Sequence, residues 1–402
     1  MTQATETLIE SRPSHARLIA VISAAHFVSH YYILILAPLL PFVRAAYGVS
    51  YTEIGLALTA FNVVSAALQT PAGFLIDWLG ARVILIIGLL IGATAFVVVG
   101  LVDSYWVLVA MFGLAGVGNT VYHPADYALL SQHVPSDRIG HAFSIHTFAG
   151  MMGSAFAPAS LLMMQSLWGW RGAFIGAGLV GFAVAAILLL VRDNAPAQAA
   201  PTPRASTDTS PAGWRLLMTA PILMNLFFFV LIAMISGGMY NYYVVALGAL
   251  YGTDVAVANS ALSTQLLLSA FGVLLGGVVA TRASRHAWVA ALGLAVMSLM
   301  AALIAQFDLG TVLLFAVTMT FGFFSGIIMP SRDMIVREVT PPGSFGKVFG
   351  FVTTGFNLGG VVSPLVFGAI MDHGSPRLVF VAVAVFALLS VFTVISLPKK
   401  AA

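Results

Sequence analysis

The sequence contains no cysteine, and only 8% of its 402 residues are Asp, Glu, Lys or Arg. The lack of cysteine excludes disulfide bonds, thiolate metal sites and cysteine nucleophiles. Soluble domains carry about 25% charged residues, whereas 60% of this chain is hydrophobic. A soluble fold could not bury that much apolar surface, so we expect the chain to lie in a lipid bilayer.

Enzyme motifs are missing as well. The sequence has no HExxH zinc motif, no GxSxG nucleophile elbow and no GxxxxGK[ST] phosphate loop. Gly113, Gly116 and Gly118 resemble a dinucleotide fingerprint only in spacing, because they lie inside an apolar stretch rather than after a strand. We therefore expect no enzymatic activity and no cofactor.

What the sequence does contain is apolar stretches long enough to cross a bilayer as helices. Six precede a polar segment and six follow it. The twelve stretches are 17–42, 51–76, 82–102, 105–132, 138–166, 171–192, 214–248, 256–281, 286–307, 310–337, 345–371 and 377–397. The segment 193–213 is rich in Pro, Ala, Ser and Thr, which predicts a flexible cytoplasmic linker between two six-helix bundles, residues 1–192 and 214–402.

The positive charges predict the orientation of these spans. If both termini are cytoplasmic, fourteen of the seventeen Lys and Arg residues lie on the cytoplasmic side, and only Arg44, Arg171 and Arg377 lie outside. This excess agrees with the positive-inside rule. The first sixteen residues lack the apolar core of a signal peptide, so we expect the first span to serve as the targeting signal.

The two halves of the chain repeat each other. Residues 116–158 and 322–364 align at a spacing of 206, and six of the eight Gly or Pro in the first copy meet a Gly or Pro in the second. These residues bend helices or allow close backbone approach, so the halves share a shape. Two copies in the same orientation predict a pseudo-two-fold axis along the membrane normal and a cavity between the halves, as in many secondary transporters.

A short loop with the sequence GFLIDWLGAR follows the second span, at 73–82. It resembles the loop signature of the major facilitator superfamily, G-x-L-x-D-x-x-G-x-R, at all five defined positions. The resemblance implies a twelve-helix transporter, in which Asp77 binds the start of span 11 while the cytoplasmic side is closed. Gly73, Gly80 and Arg82 complete this predicted conformational latch. The alternative is that Asp77 is an ordinary loop charge.

Residues 26–158 are most similar to the fosmidomycin-resistance branch of that superfamily. The stretches that carry this likeness are HFVSH at 26–30, IGL at 54–56 and YHP at 122–124. The resemblance implies proton-coupled efflux of a small amphipathic organic compound or drug across the bacterial inner (plasma) membrane. Proton-coupled uptake of a small metabolite is an alternative, and a membrane receptor without transport activity is an alternative of another class.

Four histidines and one aspartate lie within spans of the first half: His26, His30, His123, Asp126 and His146. His26 and His30 are four residues apart and share a helix face. Counted at about 1.5 Å per residue from the cytoplasmic ends, His26 and His123 reach similar depths, and Asp126 lies about one turn shallower. Ionisable groups inside a membrane mark functional sites by default.

Three interpretations of this set remain open from the sequence. The first is a proton-coupling cluster of His26, His30, His123 and Asp126, because histidine titrates near physiological pH. The second is polar packing, with each histidine hydrogen-bonded across helices. The third is a divalent metal site, since imidazoles and a carboxylate can bind a transition metal. We adopt the first and expect no metal.

Aromatic and amide side chains in several spans, together with one arginine, are candidates for the lining of the central cavity. These candidates are Tyr31, Tyr32, Asn62, Tyr240, Asn241, Tyr243, Gln265 and Arg332. Such a lining suits an amphipathic organic ligand better than a sugar or a bare phosphate. Adjacent tyrosines cannot all face one way, so about half of them are expected to pack between helices instead.

Arg332 aligns with Asp126 in the repeat, which places opposite charges at related positions. We infer a gate between the bundles that forms when the cytoplasmic side closes; the alternative is that Arg332 ends its span in water. The expected partners are a small-molecule substrate, protons and the lipid bilayer, with the chain acting as a monomer. The net charge of +3 reflects membrane topology, and we expect no nucleic-acid partner.

Overall fold

The computed structural model describes residues 15–135, 138–190, 212–341 and 344–396, and these form helices without any strand. Helices satisfy all backbone hydrogen bonds within one apolar segment, which a bilayer requires. The helices are α1 (His15–Ile33), α2 (Leu40–Tyr47), α3 (Tyr51–Leu79), α4 (Ala81–Leu101), α5 (Tyr105–Asn119), α6 (Tyr122–His133), α7 (Ile139–Leu190), α8 (Ala212–Leu217), α9 (Ala220–Gly237), α10 (Tyr243–Tyr251), α11 (Val255–Arg282), α12 (His286–Gln306), α13 (Gly310–Val339), α14 (Phe345–Asp372) and α15 (Arg377–Ile395).

Ten helical segments of the described residues are long and apolar enough to cross a membrane. One of them, α7, has 52 residues and would reach about 78 Å if it were straight. It turns back at Gly169, which has φ 70°, so that Met164 and Gly176 on either side approach each other. It therefore holds two spans. Together with the span formed by α1 and α2, the total is twelve, which confirms the predicted fold.

Three of the spans are interrupted along their length. A non-helical segment at 34–39 separates α1 from α2, and residues 120–121 separate α5 from α6. Between α9 and α10, Gly238–Tyr242 forms a π-helical turn. Irregular backbone within a membrane is tolerated where it packs inside protein or lines a cavity, and π-helical turns occur often at functional sites. The sequence did not predict these interruptions.

The two halves repeat in their packing as well as in their sequence. Gly116 of α5 lies against α3, where a Cβ would come within 2.5 Å of the carbonyl oxygen of Phe61. Gly322 of α13 lies in the same way against the carbonyl oxygen of Gln265 in α11. Both glycines let two helix backbones approach closely, and they occupy corresponding places in the two halves.

Two pairs of helices make the main contacts between the halves in the described part of the chain: α3 with α14, and α7 with α11. The predicted pseudo-two-fold axis would exchange one pair for the other. The predicted linker 193–213 lies outside the described residues, except for its last two, with which α8 begins. The boundaries of the two bundles stay a prediction.

Candidate functional site

A cluster of ionisable side chains lies inside the first half, where α1, α6 and α7 meet. Nδ1 of His26 is 3.4 Å from Oδ2 of Asp126. Nε2 of His146 is 3.7 Å from the same oxygen. The rings of His26 and His146 stack with their centroids 3.9 Å apart. The imidazoles of α1 and α7 thus meet one carboxylate on α6.

The carboxylate of Asp126 is fully buried, and neither of its oxygens accepts a hydrogen bond from a described residue. Nδ1 of His26 and both ring nitrogens of His146 also lack a partner. The distances to the carboxylate are slightly longer than an N–H···O hydrogen bond. Buried polar groups are normally paired because leaving them unpaired is costly, so this cluster is a candidate for a chemical role.

Two further histidines extend the cluster towards a more open region. The ring of His26 lies 4.6 Å from that of His30 and 5.0 Å from that of His123, each edge to face. His30 is half-buried and lies 3.3 Å from the hydroxyl of Ser154, whereas His123 is exposed. Tyr127, one turn after His123, is exposed as well, and the two rings lie 6.3 Å apart. This face of α6 is therefore open in the structure.

Small residues on α7 make room for the histidines. A Cβ at Gly150 would come within 2.5 Å of Nε2 of His26 and 3.0 Å of Cδ2 of His30. Gly153, one turn further, lies directly against the carbonyl oxygen of Phe27. The Gly-rich stretch thus allows α7 to pack closely against α1 and positions the imidazoles beside Asp126.

The structure brings together the four predicted coupling residues and adds His146, which the sequence analysis placed in a span but not in the cluster. The ligand atoms of His26, Asp126 and His146 lie within 4.8 Å of one another. This spacing would also admit a metal ion. Protonation of either imidazole would convert its contact with the carboxylate into an ion pair, because both lie within 4 Å of it.

The predicted cavity tyrosines lie mostly within their own bundles in this conformation. The hydroxyl of Tyr31 is 2.8 Å from that of Ser160, and the hydroxyl of Tyr32 donates to the carbonyl of Ala177 at 3.2 Å. Tyr243 is fully buried, and its hydroxyl is 2.8 Å from that of Thr318. These tyrosines therefore pack between helices and do not line the cavity in this conformation.

Of the remaining candidates, Asn62 lies at the boundary between the halves. Its side chain is half-buried and faces α14, where a Cβ at Gly360 would come within 2.7 Å of its Oδ1. Tyr240 and Asn241 belong to the π-helical turn and are half-buried. Oδ1 of Asn241 and Oε1 of the buried Gln265 have no hydrogen-bond partner among the described residues. These two oxygens are buried and unpaired in this conformation.

Arg332 does not meet Asp126. Its guanidinium forms an ion pair with Asp333 at 2.8 Å and lies about 5 Å from the rings of Phe229 and Phe356. Its side chain is 12% exposed, so it does not simply end α13 in water either. The inferred gate is therefore not formed in this structure, because each charge has partners within its own half.

The predicted latch is described only in part. Gly80 adopts φ 89° between α3 and α4, and a Cβ at Gly73 would meet no neighbour. Nη2 of Arg82 donates to the carbonyl of Leu188 at 2.7 Å, which joins α4 to the end of α7. The side chains of Asp77 and of the first two residues of α14 lie outside the described residues, so the contact between them stays a prediction.

The comparisons with known proteins agree with this architecture. The sequence model of the Major Facilitator Superfamily matches residues 22–247 and 226–402. The chain belongs to this superfamily. Its family and its structural neighbours are transporters, so the protein is a multi-pass membrane transporter and not an enzyme.

Relatives of this transporter have different roles. The fosmidomycin resistance protein of Escherichia coli is 24% identical over 382 residues, which cover 94% of this chain and 92% of that protein. The probable sulfoacetate transporter SauU of Cupriavidus necator is 32% identical over 141 residues, 35% of this chain and 33% of SauU. The likeness to the drug-resistance protein thus extends over nearly the whole chain, whereas the likeness to SauU covers about a third.

Two solved structures share the fold. A bacterial homolog of the human lysosomal transporter Spinster, in an inward-facing and occupied conformation, has a TM-score of 0.76 at 17% identity, covering 96% of this chain and 97% of that one. A mutant of the nucleoside transporter NupG has a TM-score of 0.77 at 15% identity, covering 95% and 100%. At these identities the likeness shows the twelve-helix fold alone.

Proposed function

We propose that the protein is a proton-coupled secondary transporter that exports a small amphipathic organic compound by alternating access. The observation that carries the proposal is the buried carboxylate of Asp126, within 3.7 Å of two imidazoles and without a hydrogen-bond partner among the described residues. A buried, unsatisfied charge in a membrane is costly and is retained where it has a function.

Proton uptake explains this arrangement better than polar packing. A packed structural cluster should satisfy its donors and acceptors, because half-satisfied buried networks are destabilising. Here several nitrogens and both carboxylate oxygens are unpaired. Adding or removing one proton changes which of these groups attract one another, so the preferred packing of α1, α6 and α7 depends on protonation.

The cluster also offers a route for the proton. The rings of His123 and His30 both lie next to that of His26, which contacts Asp126. His123 is exposed on the open face of α6. A proton can thus enter at His123 and reach Asp126 through His26. His146 lies on α7. When its imidazole is protonated, it stabilises the charged form of the Asp126 carboxylate.

The direction of transport is proposed from the relatives. The drug-resistance protein of Escherichia coli aligns with nearly the whole chain, which supports efflux. The metabolite transporters, including SauU and a probable L-galactonate transporter of Escherichia coli, align with 35–36% of it. Uptake of a small metabolite therefore remains the second candidate, and we place the protein as a monomer in the bacterial inner membrane with both termini cytoplasmic.

The substrate is proposed to bind between the halves, beside the interrupted helices. Asn62, Tyr240, Asn241 and Gln265 supply polar groups there. Arg332 lies deeper in its own half, between two phenylalanine rings and paired with Asp333. Because this cation is already neutralised, an amphipathic compound with few charges fits the site better than a strongly anionic one.

The test is transport by the purified protein in liposomes with an imposed pH gradient, screened with a panel of amphipathic compounds. Wild type should accumulate a transported compound in response to the gradient. Asp126→Asn should lose this response and should still exchange substrate between equal concentrations, because the substituted side chain cannot bind and release a proton.

The matched control is His286→Gln in the second half. His286 is also a buried histidine near a carboxylate, with Nε2 3.8 Å from Oε1 of Glu338, but it lies at the start of α12 away from the cluster. The His286→Gln protein should respond to the gradient like wild type. An unchanged gradient response in Asp126→Asn and in single variants of His26, His30, His123 and His146 would show that the cluster is structural.

A further inference from the structure

One end of the contact between α3 and α14 is formed by a carboxylate from one half and a helix start from the other. Asp372 is the last residue of α14. Its Oδ1 accepts a hydrogen bond from the backbone N–H of Tyr51 at 2.7 Å, and its Oδ2 accepts one from Thr52 at 2.8 Å. These are the first two residues of α3. According to the predicted topology, this end faces outside.

The first backbone N–H groups of a helix have no partner within the helix, and α3 obtains partners for them in two ways. Ser50 and Glu53 form a capping box, in which the Ser50 hydroxyl accepts from the N–H of Glu53. The N–H groups of Tyr51 and Thr52 depend on Asp372. Half of the cap of α3 is therefore supplied by the other half of the protein.

The surrounding residues are shaped for this contact. A Cβ at Gly368 would come within 2.8 Å of Cα of Thr52, so the two backbones touch directly. The hydroxyl of Tyr242 donates to the carbonyl of Pro364 at 2.7 Å beside α3. The guanidinium of Arg44 lies 4.1 Å above the ring of Tyr51, and its positive charge acts on Asp372. The carboxylate of Asp372 thus lies at the positive end of a helix and near a cation.

The related helix pair, α7 with α11, lacks such a contact. The start of α11 is capped by its own preceding residue, Asp254, whose Oδ1 accepts from the N–H groups of Ala256 and Val257 at 2.8 and 3.3 Å. The residue 206 positions before Asp372 is Ser166, whose hydroxyl donates to the carbonyl of Met163 in its own helix. Movement of the halves can leave the cap of α11 intact, whereas it must break that of α3.

Further along the same helix pair, the hydrogen bonds between described residues are longer. The hydroxyl of Thr59 donates to the carbonyl of Val361 at 3.3 Å, and Nδ2 of Asn357 donates to Oε1 of Gln69 at 3.4 Å. The two bonds that Asp372 accepts, at 2.7 and 2.8 Å, are shorter than either.

We propose that Asp372 is a positioning residue that holds this end of the central cavity closed, by capping α3 of the opposite half in one conformer and leaving it in the other. The inference rests on alternating access, but it requires neither proton coupling nor efflux. Removing the carboxylate should shift the balance towards the conformer that is open at this end, without preventing folding.

Double electron–electron resonance between two spin labels tests the shift. Val102→Cys and Gln306→Cys place the labels on exposed residues at the same end of the two halves, and the chain has no other cysteine. The measurement is made at a pH where wild type shows both a short and a long distance. Asp372→Ala should raise the ratio of long to short distances about fivefold, the change expected from losing one helix cap.

Asp254→Ala is the matched control, because it weakens the cap of α11 without touching the contact between the halves. It should leave the distance ratio unchanged, and thermal unfolding in detergent should show both variants to be folded. Wild type that exchanges between two distances, with an unchanged ratio in Asp372→Ala or an equal shift in Asp254→Ala, would refute the role of Asp372 alone. If the two labels in wild type kept a single distance at every pH and with every compound, alternating access itself would be refuted. The inference about Asp372 would then fail as well.

Discussion

Replacing Gly150 by alanine is expected to disturb proton coupling through one contact. The new Cβ would lie within 2.5 Å of Nε2 of His26, about 1 Å closer than an ordinary van der Waals contact. The ring cannot turn away freely, because it is 3% exposed and stacks on His146 at 3.9 Å. We expect it to move by about 1 Å and to lose either this stack or its approach to Asp126.

The energetic cost can be bracketed. Overpacking of this kind costs about 1–3 kcal/mol, and exchanging Gly for Ala inside a helix returns about 1 kcal/mol. The net destabilisation is therefore about 0–2 kcal/mol, which leaves the protein folded. Proton transfer is more sensitive, because it needs heavy-atom distances of about 2.6–3.2 Å. Gradient-driven accumulation should fall by about tenfold or more, since a 1 Å error can cost an enzyme about 100-fold.

The assay compares gradient-driven accumulation with exchange at equal concentrations in liposomes, and thermal unfolding in detergent gives the stability. The control is Gly277→Ala in α11, where a Cβ would meet no neighbour. It should gain helix stability and transport like wild type. A Gly150→Ala protein with a wild-type gradient response would show that the position of the His26 ring does not decide coupling.

Two further predictions concern charges at the helix ends and across the halves. Asp77→Asn should lower the initial rate of transport while leaving expression and substrate affinity nearly unchanged, because it removes a charge that is used in only one conformer; wild-type rates would contradict the predicted latch. The protein with exchanged charges, Asp126→Arg with Arg332→Asp, should transport no better than the worse of the two single variants, because each residue has partners in its own half. A recovery of activity would mean that the two residues meet in another conformer.

The global fold was predictable because lipid imposes few solutions on an apolar chain. The length of the apolar stretches and the repeat at a spacing of 206 predicted twelve spans in two halves. The interruptions of spans 1, 4 and 7 were not predictable in the same way. They depend on how each backbone packs against its neighbours, and hydrophobicity along the sequence does not record this.

Most of the cluster was also predictable from depth and helix periodicity, and His146 could have been. Asp126 lies seven residues from the end of α6 at His133, and His146 lies seven residues from the start of α7 at Ile139. At about 1.5 Å per residue, both lie about 10 Å from the same end of the bundle. What the sequence could not show is the ring stacking, which requires the close approach of α1 and α7 at Gly150.

The pairing of Arg332 with Asp333 explains why the predicted gate is not formed in this conformation. Adjacent residues on a helix do not normally face each other, so the repeat suggested a partner in the other half instead. The long arginine side chain nevertheless folds back to its neighbour and lies between Phe229 and Phe356. A repeat predicts equivalent positions, but the partner of a flexible charged side chain is decided by what surrounds it.

One helix connects the cluster to the contact between the halves. His146 and Gly150 are four residues apart and face the cluster, whereas Phe148 lies between them on roughly the opposite face of α7, with its ring 6.4 Å from that of Phe271 in α11. Of the four helices that join the halves, α7 alone carries a member of the cluster among the described residues. A change of charge at Asp126 that moves His146 therefore acts on a helix that also contacts the second half. Coupling through α3 would be less direct, because α3 packs against α6 but carries no member of the cluster among the described residues.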